Sequence, residues 1–229
     1  MAGFGGGSSY LAVMVLAGLP FQSIRSTALL CNLVVTFFGF WNFARAGYFR
    51  FGKIFPFVIL SIPMAYWGGR LEIGEKLFSI LLGCSLLAVA VRLFLPNEVF
   101  HETKEIPTID AWRLGLPVGG LLGFLSGLAG IGGGIFLSPL LILMRWVNTK
   151  EAAAAASFFI LVNSFSGLAG QLSHTSLDGN LILPLSAAVF CGGQLGSRWS
   201  AHRLPPAAIR RLTAFFVLIV SVKLLWGTL

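Results

Sequence analysis

The sequence predicts an all-α fold, a polytopic transmembrane helical bundle made of two inverted repeats, each with a glycine-broken short or re-entrant helix. Three observations carry that prediction. The 229 residues are 56% hydrophobic and only 10% charged, with a mean hydropathy of +0.87, whereas a water-soluble domain carries about a quarter charged residues. Two glycine clusters, Gly3-Phe4-Gly5-Gly6-Gly7 and Gly130-Ile131-Gly132-Gly133-Gly134, each open a short apolar segment. The lysines and arginines are distributed unevenly between the loops.

A spanning helix needs roughly 20 apolar residues. By that measure Ser9–Leu19 is too short to span, Ser23–Ala44 is a full span, and Ile54–Gly69 and Lys76–Leu95 follow. Pro96–Asp110 is the one polar loop, with Glu98, His101, Glu102, Lys104, Glu105 and Asp110. Ala111–Ala129 spans and runs into the second glycine cluster. Gly134–Val147 is again short, Ala152–Leu172 and Leu181–Ala201 are long, and Pro206–Trp226 closes the chain.

The second half repeats the first. The clusters align Gly5-Gly6-Gly7 on Gly132-Gly133-Gly134 at an offset of 127 residues, and Pro56 meets Pro184 at 128. At the latter offset Gly68-Gly69-Arg70 falls on Gly196-Ser197-Arg198. This divides one membrane domain into a first repeat (1–95), a cytoplasmic loop (96–110) and a second repeat (111–229). Ala111–Gly127 precedes the second cluster and nothing precedes the first. The symmetry predicts a leading helix before the first cluster, so either the recorded start lies too far downstream, the favoured reading, or the chain is a shortened form.

Charge selects the topology. If the segments around each glycine cluster return to the side they came from, one face carries twelve of the sixteen Lys and Arg: Arg45, Arg50, Lys53, Arg92, Lys104, Arg113, Arg145, Lys150, Arg198, Arg203, Arg210 and Arg211. The other carries Arg25, Arg70, Lys76 and Lys223. A single broken crossing would erase the bias. The twelve-charge face is expected to be cytoplasmic and the C-terminus periplasmic. The net charge of +8 is thereby explained without nucleic acid, since the longest basic run is Arg210-Arg211.

Polar chemistry inside the spans is sparse. No span has a central Asp or Glu, which argues against a carboxylate proton relay or cation path. The cysteines Cys31, Cys84 and Cys191 lie in apolar runs, odd in number and without framework spacing, and read as packing residues. Neither a metal-ligand spacing nor a nucleophile–base set is present, so the sequence calls for no metal, no cofactor and no enzyme. Three consecutive glycines weaken a helix, and lipid tolerates broken backbone only where it is buried or lines a cavity. A helix starting after the break presents free N–H groups and its positive dipole end. The expected anion-binding residues are therefore Gly5, Gly6, Gly7 and Ser8 in one half and Gly132, Gly133 and Gly134 in the other. Thr27, Asn32, Ser157 and Asn163 join them as hydrogen-bonding residues of the matching long helices. The competing reading of these four is interhelical bonding worth about 0.6 kcal/mol each. Gly115, Gly119, Gly120 and Gly123 read as small residues for close helix packing.

The segments GFGGGSSYLAVMVLAGLP, GIGGGIFLSPLLILM, EAAAAASFFILVNS and GSRWSAHRLPPAAIRRL resemble the TauE/SafE sulfite exporter family, and the resemblance covers essentially the whole chain. It implies a multi-pass permease of the bacterial inner membrane for a small anionic substrate such as sulfite or an organosulfonate. Inverted repeats with glycine-interrupted segments point to a secondary transporter, one repeat rocking against the other. An anion channel and a non-transporting membrane scaffold or assembly protein are the alternatives. The partners expected are the anion and the lipid bilayer, with a homo-oligomer allowed.

Overall fold

The computed structural model describes residues 7–94, 108–173, 184–192 and 206–227, and all regular structure among them is helical. The helices are α1 Gly7–Leu16, α2 Phe21–Arg45, α3 Phe51–Arg70, α4 Glu75–Phe94, α5 Thr108–Ala129, α6 Gly134–Leu143, α7 Thr149–Gln171, α8 over 184–192 and α9 Pro206–Trp226. Five of them, α2, α3, α4, α5 and α7, contain a stretch long and apolar enough to cross a membrane. The hydropathy runs thus became helices within a few residues of their expected ends. One boundary differs. Asp110, expected in the loop, lies in the first turn of α5, where a carboxylate complements the helix dipole. Of the expected span 181–201 only 184–192 falls within the described residues.

Glycines set the spacing of the largest interhelical contact. Gly115, Gly119, Gly123 and Gly127 recur every four residues on α5 and face α3. A methyl group at Gly119 would overlap the carbonyl oxygen of Phe57, at Gly123 that of Ser61, and at Gly127 that of Ala65. The contacts rise together along both helices, so α3 and α5 run parallel with their backbones touching. A neighbouring face of α3 meets α7 in the same way, Gly69 against Gly167 and Gly170 against Tyr66, with Ser166 Oγ donating to Ile62 O at 2.6 Å. Ile54, Phe57, Leu137, Leu141, Ala152 and Phe159 fill the space between α3, α6 and α7.

A second core joins α1, α2, α4 and α9 through Leu11, Ile24, Phe78, Leu82, Leu86 and Val217, with Leu185 and Val189 of α8 packed against it. Across the two cores, α2 packs antiparallel on α7, with Leu29 near Gly167 and Phe40 on Phe158 at 5.0 Å. Helix α4 packs on α9, where Ser221 Oγ donates to Gly83 O at 3.0 Å.

The starts of α3 and α7 lie at one face. There Arg50 Nε bonds Glu151 Oε1 at 3.1 Å and Lys53 Nζ donates to Trp146 O at 2.7 Å. Glu151 also closes a capping box with Asn148, whose side chain accepts from Lys150 N and Glu151 N. This face carries Arg45, Arg50, Lys53, Arg145 and Lys150 at the ends of α2, α3, α6 and α7. Arg70 and Lys76 flank the turn at the opposite end of α3. Leu225 of α9 also packs on α4, since a methyl on Gly83, near the middle of α4, would meet it at 2.9 Å.

Candidate functional site: the mid-membrane glycine break

Helix α5 ends at Ala129, and three left-handed glycines turn the chain back: Gly130 at φ 73°, Gly132 at φ 83° and Gly133 at φ 71°. An L-residue in that conformation costs roughly 1–2 kcal/mol, whereas glycine adopts it freely. The Gly130 N–H still closes α5 by donating to Ser126 O at 2.9 Å. Gly133 then caps α6 without any side-chain cap. The new helix starts deep in the bundle. A methyl at Gly134 would lie 2.7 Å from Ala156 O, and one at Gly132 would lie 2.5 Å from Ile160, both near the middle of α7. From there α6 runs antiparallel to α7 toward the basic face. A full span followed by a half-length return brings the chain back to the face from which α5 started.

The start of α1 reaches the same point. A methyl group on Gly7 would lie 3.2 Å from Asn32 Oδ1, 3.4 Å from Ile131 O and 3.5 Å from the Tyr10 hydroxyl. Helix α1 then runs to the turn before α2, away from the basic face. Two short helices thus begin side by side at mid-depth and leave in opposite directions. Asn32, fully buried, joins them: the Tyr10 hydroxyl donates to its Oδ1, and its Nδ2 donates to Gly130 O at 3.1 Å.

Several polar groups here are unpaired. The N–H groups of Gly132, Gly133 and Ile135 have no acceptor among the described residues, while Gly134 N donates to Gly132 O and Phe136 N to Gly133 O. Among the described residues the side-chain atoms buried without a partner are Thr27 Oγ1, Ser126 Oγ, Asn163 Oδ1, Ser164 Oγ, Gln171 Oε1 and Arg25 Nε. All lie on α2, α5 and α7, the three helices that surround the break. A buried polar group left unpaired costs about 1–3 kcal/mol, so each of these atoms calls for a partner.

The site residues expected from sequence separate into groups. Gly7, Asn32, Gly132, Gly133 and Gly134 lie at or beside the break. Ser8 is buried in the first turn of α1. Gly5 and Gly6 lie outside the described residues. Thr27 is buried with a free hydroxyl. Asn163 is buried on α7, one turn beyond Ile160; its Nδ2 donates to Phe159 O at 2.8 Å and its Oδ1 is free. Ser157 sits a turn nearer the basic face, its hydroxyl bonded to Ala153 O at 2.9 Å. Tyr10 and Arg25 were missed by sequence reasoning. Tyr10 is a phenol within an apolar half-helix, a visible signal; Arg25 was taken only as a loop-side charge. No group of three or more His, Cys, Asp or Glu suited to a metal occurs among the described residues.

Membrane-spanning helices around a buried break with two converging helix starts define a multi-pass membrane protein of the transporter class. The family model described as sulfite exporter TauE/SafE matches residues 1–224, and the chain belongs to that family. It is 30% identical over 227 residues to the probable membrane transporter protein y4hK of Sinorhizobium fredii, covering 98% of this chain and 91% of that one. It is 26% identical to a probable membrane transporter protein of Haemophilus influenzae, with 97% and 90% covered. It is 24% identical to the probable membrane transporter protein YjnA of Bacillus subtilis, with 98% and 93% covered. No solved structure matches. The chain is thus a membrane transporter.

Proposed function

We propose that the protein is a secondary transporter that exports a small oxyanion of the sulfite or organosulfonate class across the bacterial inner membrane. The observation that carries this reading is the meeting of α1 and α6 at mid-depth, with helix starts and unpaired N–H groups around Asn32. Helix N-termini attract anions through free N–H groups and the dipole, without a carboxylate or metal. Their opposite directions support an inverted repeat, as do the pairings α2 on α7 and α4 on α9, since equivalent elements meet at a two-fold axis. The basic face is then cytoplasmic and the C-terminus periplasmic. Ile160 and Phe159 press on the glycines of the break, so substrate enters only when the helices part, which is the behaviour of alternating access.

Proteoliposomes containing the purified protein test this with sulfite, sulfoacetate, thiosulfate and acetate. Saturable flux of a sulfur oxyanion, with accumulation against its gradient when an ion gradient is imposed, is the expected result. Flux that only dissipates a gradient would make the protein a channel. No flux for any anion would refute the transport of this class.

A further inference from the structure

We propose that Arg25 is a binding residue for the transported anion, donating from its guanidinium fork to two oxygens of the substrate at the end of the path away from the basic face. This inference rests on the anion-transport reading above and adds to it the residue that supplies the charge.

Arg25 lies in the first turns of α2 and is 4% exposed. Its own backbone packs on the glycine break, the carbonyl oxygen 3.1 Å from where a methyl on Gly130 would stand. Its side chain reaches the ends of α3 and α5. Nη2 lies 3.4 Å from Gly68 O, 3.4 Å from Gly127 O and 3.5 Å from Leu71 O, and Nη1 lies 3.5 Å from Leu71 O. Nε has no partner. The ion pair Arg50–Glu151 lies at the other face and does not involve Arg25.

A buried guanidinium without a counter-charge is strongly disfavoured. The alternative is that Arg25 only staples two helix ends through their negative dipole termini. Its geometry argues against that as its whole role. Every contact is at 3.4–3.5 Å, beyond the usual 2.7–3.2 Å range of N–H···O bonds. A staple would have drawn the carbonyls closer, and it would not leave Nε idle. Ser126 Oγ, on the residue before Gly127, is also buried and unpaired. Arginine is suited to planar, two-point recognition of oxyanions. An oxyanion moving outward from the break would find in Arg25 the full positive charge that the N–H groups there lack, and would supply a negative charge that none of Arg25's contacts among the described residues provides.

Sulfite binding to the purified protein, by titration calorimetry, tests this in wild type, R25K and R25M, with thermal unfolding of each recorded without ligand. R25K is expected to bind sulfite about tenfold more weakly, because the charge stays and the fork is lost. R25M is expected to lose on the order of 100-fold. Sulfite is expected to raise the unfolding temperature of wild type more than that of R25K, whatever their ligand-free values. Unchanged sulfite affinity in R25K and R25M, or in R25K alone if R25M fails to insert, overturns the role of Arg25 while leaving transport standing. Wild type that binds no sulfite, sulfonate or thiosulfate overturns the reading on which it rests.

Discussion

Gly133→Val places a β-branched residue at the turn from which α6 starts. Gly133 has φ 71°, so any L-residue there costs about 1–2 kcal/mol, and branching at Cβ raises it. The new Cβ would lie 3.0 Å from Leu122 O and 3.0 Å from Phe159 Cε1. Relief requires a shift of the α5 backbone or a displaced ring, overpacking of the kind that costs about 1–3 kcal/mol. The terms together reach about 2–5 kcal/mol, which lowers the population of the native break by roughly 30-fold or more. Insertion depends on the hydropathy of the spans, which the change leaves intact. Membrane levels after alkaline extraction should therefore equal wild type, while sulfite flux in proteoliposomes falls below a tenth. Gly52→Ala is the control: it has nothing within 4 Å of the new methyl and no positive φ, so it should transport normally. Normal flux by Gly133→Val would refute the reasoning and leave the left-handed glycines as simple packing residues.

Tyr10→Phe removes the donor to Asn32 Oδ1 and leaves a buried acceptor unpaired, lowering stability by about 1–3 kcal/mol. Asn32→Leu removes the bond to Gly130 O as well, and the two changes together should cost less than their sum in thermal unfolding. Gly123→Val forces a side chain into the Ser61 carbonyl and should part α3 from α5, giving aggregated protein on size exclusion in detergent rather than a transporter of altered affinity. A reporter fused after Leu229 should read periplasmic; a cytoplasmic reading would contradict the topology drawn from the charge bias.

The helices were legible because a membrane span is a one-dimensional property: apolar length, with polar or glycine punctuation. The glycine stripe on α5 was legible as a packing device, since Gly115, Gly119 and Gly123 share one face at four-residue spacing. That its partner is α3, and that α3 then meets α7, was not legible, because close approach of backbones leaves no mark on the partner's composition. The break itself was visible as Gly130–Gly134. Its depth was not, since that depends on Ile160 and Ala156 standing opposite it. Arg25 shows the limit most clearly. Near the end of a span an arginine ordinarily reaches toward the interface, and only the tertiary structure turns this one inward onto Gly68, Leu71 and Gly127. Matching Ser157 to Thr27 by repeat position treated the two alike. In the structure the Ser157 hydroxyl bonds back to Ala153, whereas the Thr27 hydroxyl is unpaired.

Helix α3 comes from the first half of the sequence but is cemented to α5 and α7 of the second. Helix α8, from the second half, lies against α2, with Ser186 Oγ 3.9 Å from Cys31 Sγ and Phe190 on Phe38 at 5.3 Å. Each half has lent a helix to the other. A fragment ending within 95–107 would leave α3 without the carbonyl-to-glycine seam it was shaped for. A fragment beginning there would leave Gly115, Gly119, Gly123 and Gly127 as an open groove in lipid. The two fragments should therefore be unstable apart and recover only when made together, the loan of helices acting as a built-in requirement for co-assembly.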